Sequence, residues 1–224
     1  MKKLLTYILI LGTTVGAMAQ NAIGLRGSFS GSTLTKFDLI ENVTPDFKFL
    51  PAAGGAIFME IPITSNFSVQ PEVSYTQKGF AIREGFDVGG EFLGIDIPVN
   101  GKVNFRANYV EVPVLAKFHF GDKSAAHSYL AIGPAVGYMA DANMRIKVLD
   151  IFPLNFGLND NFFKPFEFSG VVAAGFEVPV SEKVGIFAEG RYAHGFSRVL
   201  DTGVVDLPVR SRTLSGGLGL KYTL

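Results

Sequence analysis

The feature that most constrains this chain is an apolar–polar alternation of period two, repeated in eight stretches of nine to thirteen residues. Such a period sends successive side chains to opposite faces of a β-strand. The stretches are Ala22–Ser30, Ala53–Ile63, Phe67–Gln77, Asn108–Phe120, Ser128–Ala140, Glu167–Val178, Val184–Gly195 and Arg212–Leu224. In each, one face is apolar and the other carries the charges. In the fourth, Val110, Val112, Val114, Ala116, Phe118 and Phe120 oppose Tyr109, Glu111, Lys117 and His119. After Gln20 no run of 18 apolar residues occurs, so no spanning helix is predicted. The strands are longer than the five or so residues usual in a soluble sandwich. Stretches of about ten alternating residues between turn segments are what a membrane β-barrel requires.

The connections alternate in length. Thr64–Asn66, Gly121–His127 and Pro179–Lys183 are short and rich in turn residues. Gly31–Ala52, Lys78–Ala107, Asp141–Phe166 and Phe196–Ser211 are long. The predicted fold is therefore all-β: an eight-stranded antiparallel transmembrane up-and-down β-barrel with short periplasmic turns and long outer loops. The expected location is the bacterial outer membrane, and the last strand runs to Leu224, leaving no room for a second domain after it.

Lys2 and Lys3 precede an apolar core from Leu4 to Val15, and Ala17-Met18-Ala19 is a small-residue cleavage pattern. Residues 1–19 read as a cleaved signal peptide and residues 20–224 as the barrel domain. Removing that segment changes the formal charge from +0 to −2. Export makes the zero cysteine count informative: no disulfide framework and no cysteine-ligated metal site can form. A balanced charge gives no sign of a nucleic-acid partner.

Arg26, Glu60, Glu72, Glu111, Lys117, Glu177, Glu189, Arg191 and Lys221 all fall on the polar face. Eight strands enclose a space that side chains just fill, so these nine are expected to form a lumen charge network. On the apolar face, Phe67, Phe118, Phe120, Phe176 and Tyr222 fall near the periplasmic ends. Phe29, Tyr75, Tyr138, Phe168 and Tyr192 fall near the outer ends, giving two aromatic girdles.

His119 and His127 belong to the periplasmic end and His194 to the outer end, about 25 Å away, so a site using both ends is ruled out. His194, Ser197 and Asp201 form the one outer-rim group with catalytic residue types, and no motif surrounds them. No catalytic, metal or cofactor site is expected. The Gly-rich run Gly85–Gly90 does not join a strand to a helix, so it is no phosphate loop. Asn159-Asp160-Asn161 lacks calcium-loop spacing and reads as a turn. Pro71, Pro113 and Pro134 fall inside strands, where a ladder donor is lost, and bulges are expected there.

Three stretches carry a resemblance. Val69-Gln70-Pro71-Glu72-Val73-Ser74-Tyr75-Thr76-Gln77-Lys78-Gly79, Asn108-Tyr109-Val110-Glu111-Val112-Pro113-Val114-Leu115-Ala116-Lys117-Phe118 and Phe187-Ala188-Glu189-Gly190-Arg191-Tyr192-Ala193-His194-Gly195 resemble the strand motifs of the PorT-like outer membrane β-barrel family. The resemblance implies an OmpX/OmpA-like eight-stranded barrel and no single activity. The last residue is Leu224, where such barrels often end on an aromatic. The expected partners are outer-membrane lipid, the barrel assembly machinery and unidentified proteins at the outer loops. The leading functional expectation is a non-enzymatic barrel with a plugged lumen and outer loops that make adhesive, ligand or envelope-complex contacts. A PorT-like accessory role in secretion and a secreted lipocalin-like binder are the alternatives; a lipocalin would put Glu60, Glu111, Lys117 and Arg191 in water.

Overall fold

The computed structural model describes residues 21–34, 47–48, 50–82, 90–92, 95–97, 102–148, 152–157, 165–197 and 210–224. Eight long strands carry the wall: β1 Ala22–Leu34, β2 Leu50–Pro62, β3 Phe67–Ile82, β4 Lys102–Phe120, β5 His127–Val148, β6 Phe166–Pro179, β7 Val184–Gly195 and β8 Ser211–Thr223. Each pairs antiparallel with its sequence neighbours, and β8 pairs with β1, so the sheet closes. Closure matters in lipid because it leaves no open edge of backbone donors and acceptors. Among the described residues there is no helix. The segment 1–19 lies outside the described residues, as do 85–89 of the Gly-rich run, Asn159-Asp160-Asn161 and Asp201.

The register fixes the shape. Ladder partners run from Ala53 through Phe29, Gly216, Gly190, Ala174, Leu130 and Phe118 to Phe67 on β3. The β2–β3 register, however, sets Ala53 against Gln77, so one circuit slips by ten residues. Ten residues at ~3.3 Å, against eight strand spacings of ~4.8 Å, give a strand tilt of about 40° and a backbone radius of about 8 Å. Side chains projecting inward from opposite walls therefore meet.

The alternation sorts as the parity requires. Leu25, Ile57, Val112, Ile132, Val172 and Leu218 are exposed outside, while Phe58, Tyr109, Leu115, Tyr129 and Phe187 are buried inside. Glu60, Glu111, Lys117 and Arg191 are at most 9% exposed, which overturns the lipocalin alternative. Large inward rings sit over glycines. A Cβ at Gly24 would overlap the Phe58 ring, one at Gly219 the Phe187 ring, and one at Gly175 the Tyr129 ring. Phe58 and Phe187 then meet edge-on at 5.6 Å across the lumen.

Two expectations need correction. Strands β3, β4 and β5 run well into segments read as loops, β3 to Ile82, β4 from Lys102 and β5 to Val148. A short strand, Phe152–Gly157, pairs back along β5. Beyond the membrane a strand needs only a paired neighbour, so the apolar signal stops before the strand does. The prolines also produce no bulge. The register is the same on either side of each; the ladder merely skips Met59–Pro71 with Glu60–Gln70, Glu72–Pro113 with Val73–Val112, and Val114–Pro134 with Leu115–Gly133. Each skip faces the preceding strand, while Pro71, Pro113 and Pro134 stay paired with Val114, Ala135 and Gly170 on the following one. The one register shift in the β4–β5 ladder falls at Asn108/Tyr109.

Candidate functional site

The inward residues build three tiers of charge. The tier nearest the short turns takes one residue from every second strand: Glu60 on β2, Lys117 on β4, Glu177 on β6 and Lys221 on β8. The two lysines face each other across the axis, as do the two glutamates, so each cation touches both anions. Lys117 Nζ lies 2.8 Å from Glu60 and 3.6 Å from Glu177; Lys221 Nζ lies 3.4 Å from Glu60 and also contacts Glu177. Lys117 Nζ also sits 4.1 Å above the Tyr129 ring centre.

The middle tier draws on the odd strands. Arg191 on β7 forks both terminal nitrogens onto Glu72 on β3, each at 2.8 Å, between strands on opposite sides of the barrel. Its Nε donates to Glu189 at 3.0 Å. Arg26 on β1 donates to Glu189 at 2.9 Å and to Glu72 at 3.3 and 3.4 Å. Gln70 donates to Glu72 at 2.7 Å and the Tyr129 hydroxyl to Glu189 at 3.0 Å. Two cations thus meet two carboxylates whose oxygens are all engaged, the condition for burying charge at tolerable cost. The bidentate fork adds direction as well as energy.

The third tier lies toward the long-loop end. Lys78 on β3 sits 2.7 Å from Glu111 on β4 and 3.0 Å from Glu167 on β6, and the Ser211 hydroxyl donates to Glu167. Lys78 and Glu167 were not among the nine residues expected. Lys78 shares the parity of Gln70, Glu72 and Ser74, so continuing the alternation past Gln77 would have found it.

At the turn end, His119 Nε2 lies 3.0 Å from Glu60, and its Nδ1 lies 3.1 Å from His127 Nε2. His127 belongs to β5 rather than to the turn, and its Nδ1 is 2.9 Å from the Ala125 carbonyl. Ser68 donates to Glu60 at 3.2 Å. In the adjoining turn, the Ser124 amide donates to Asp122 at 2.9 Å, holding that exposed carboxyl below its ordinary range. A vestibule of about 880 Å³ opens outside this tier, bounded by Glu60, Lys123, Glu177, Lys183 and Lys221. At the other rim, His194 Nδ1 lies 3.2 Å from the Tyr192 hydroxyl, whereas Ser197 Oγ accepts the Phe168 amide at 2.8 Å. His194 and Ser197 thus serve different partners.

Of the ten girdle positions, Phe29, Tyr75, Phe118, Phe120, Tyr138, Phe168, Phe176, Tyr192 and Tyr222 are exposed on the outer wall. Phe67 is half-buried against Phe118, with ring centres 4.9 Å apart.

A closed antiparallel barrel, apolar outside and ion-paired inside, is an integral β-barrel membrane protein. The chain belongs to the outer membrane protein beta-barrel domain family, whose sequence profile matches residues 18–201, and it resides in the bacterial outer membrane. No curated protein sequence matches it. Among solved structures it is similar to Neisserial surface protein A (13% identity, covering 91% of this chain and 99% of that one, TM-score 0.46). It is also similar to a major outer membrane protein from Thermus thermophilus (12%, 91% and 99%, TM-score 0.48) and to Ail, the attachment invasion locus protein of Yersinia pestis (13%, 91% and 100%, TM-score 0.43).

Proposed function

We propose that this protein is a plugged, non-conducting and non-enzymatic barrel. In this reading it is a scaffold that holds its outer loops for contact with a ligand or an envelope partner. The carrying observation is the Glu72–Arg191 fork, which joins strands on opposite sides of the barrel above a second tier that draws on all four even strands. At a backbone radius of about 8 Å, side chains that meet at the axis leave no continuous water column. The stretches that resemble the PorT-like family supply Glu72, Glu111, Lys117, Glu189 and Arg191 to these tiers. That resemblance therefore tracks how the lumen is filled, and it supports no particular chemistry.

The same reading makes the exposed aromatics two interfacial girdles and residues 1–19 a signal removed during export. Lipid and the assembly machinery are then the partners of biogenesis. N-terminal sequencing of protein from outer membranes should begin at Gln20. Planar-bilayer recording of purified protein tests the plug: no steady conductance is expected. Reproducible nanosiemens-scale steps from the wild type would overturn the reading.

A further inference from the structure

Strands β7 and β8 carry two adjacent outward columns. Their facing pairs, from mid-wall toward the long-loop end, are Ala188–Leu218, Gly190–Gly216, Tyr192–Leu214 and His194–Arg212. The last pair sets an imidazole against a guanidinium on the lipid side, just beyond the last apolar pair. Arg210 lies just before β8, two residues ahead of Arg212, and both arginines act electrostatically on His194. The guanidinium brings a fixed positive charge, and the imidazole opposite it can add a neutral N–H donor to the same anion.

His194 is held in place. Its ring stacks on Tyr192 (centres 6.3 Å apart, 29° between planes) and meets Phe196 edge-on at 5.7 Å. With the Tyr192 hydroxyl donating to Nδ1, the Nε2 proton is left free to donate. Aromatic side chains mark the headgroup level of a membrane protein, where cations reach out of the apolar layer.

Past the Tyr192–Leu214 pair the same two columns lose their side chains. Gly190 and Gly216 face each other, a Cβ at Gly27 or Gly216 would meet nothing, and a groove of about 590 Å³ runs between the Phe29 and Leu218 side chains. From Arg212 to Gly216 is about 13 Å of strand, the span between a lipid phosphate and the upper part of its acyl chain.

We propose that this face is a binding site for one phosphate-bearing lipid of the leaflet at the long-loop end. Arg212 and His194 hold the phosphate, and the glycine groove takes an acyl chain. The arginine–histidine pair and the groove are separate observations, and they lie at the spacing one such molecule requires.

The test is native mass spectrometry of the full chain, folded in a zwitterionic detergent and offered dimyristoyl phosphatidylglycerol or dimyristoyl phosphatidylcholine. Phosphatidylglycerol should be retained about tenfold better, the worth of one charge-assisted hydrogen bond. Arg212→Gln and His194→Gln should each erode that preference, and Gly216→Leu should lower retention of both lipids. Lys183→Gln, at the opposite end, should change neither. Heat-modifiable migration verifies that each variant is folded. Equal retention of the two lipids, an unchanged Arg212→Gln variant, or an equal loss in Lys183→Gln would overturn the proposal. Displacement by millimolar inorganic phosphate would likewise replace a lipid site with a free-anion site.

Discussion

Replacing Glu189 by alanine removes the acceptor on which the middle tier converges. In the wild type this carboxylate takes Arg26 Nη1 at 2.9 Å, Arg191 Nε at 3.0 Å and the Tyr129 hydroxyl at 3.0 Å. Without it two guanidinium groups share the one carboxylate of Glu72. Arg191 keeps its fork, but Arg26 is left with contacts of 3.3 and 3.4 Å, and a buried hydroxyl loses its acceptor. Stranding one partner of a buried ion pair costs about 3–5 kcal/mol, which is roughly two to four powers of ten in the folded-to-unfolded ratio. Glu189→Gln keeps the shape and one acceptor oxygen, so its loss should be smaller, about 1–3 kcal/mol. In the double variant Arg26→Met/Glu189→Gln the surplus charge is gone, and stability should recover part of the way. The assay is reversible urea unfolding from phosphocholine bilayers, followed by heat-modifiable migration and circular dichroism. Glu189→Ala within about 1 kcal/mol of wild type, or a double variant worse than the sum of its singles, would refute the claim that these charges are buried and mutually dependent.

Gly219→Ala should destabilise by about 1–3 kcal/mol because its Cβ would overlap the Phe187 ring, whereas Gly216→Ala should be neutral or slightly stabilising in the same titration. Leu218→Arg places a charge on a side chain 72% exposed to lipid and should cost about 2–4 kcal/mol, against no measurable change for Glu182→Arg in the exposed turn; equal losses would contradict the assigned faces. Asp122 titrates below its ordinary range when folded, so its bond to the Ser124 amide is present above about pH 4 and is lost as pH falls through the lowered value. Amide exchange at Ser124, corrected for intrinsic rate, should lose protection only in that acid window, and a flat profile down to about pH 2 would count against it.

The faces of the strands were legible in the sequence because lipid outside and a filled lumen inside impose opposite demands on alternate residues. That is why Val184–Gly195 matches β7 at both ends, and why Glu60, Glu72, Lys117, Glu177 and Glu189 are buried while Leu25, Ile57 and Leu218 are exposed. Strand length was less legible where the membrane no longer acts. Lys78 escaped notice for that reason, although it lies under Glu111 and Glu167. Height was not legible at all. Glu189 and Arg191 announce themselves as neighbours two residues apart, but nothing local says that Arg191 grips Glu72 across the barrel. That pairing follows from a stagger of ten residues accumulated over eight registers, each a long-range property. The prolines showed that a donor was missing, not which side of the strand it was missing from.

That sidedness has a consequence for the chain before it reaches the membrane. An unclosed strand in water exposes its edge to other copies of itself, and a long regular edge is a template for intermolecular pairing. Pro71, Pro113 and Pro134 interrupt that template on three consecutive strands, always on the edge facing the strand before. Each keeps its other edge intact for the strand that follows. A passing molecule that tried to add along the broken edge would find a donor absent midway, while the edge that each proline strand offers to the chain's own next strand keeps its pairing at the proline. The gaps that weaken three seams of the finished wall therefore act earlier as protection against aggregation in transit.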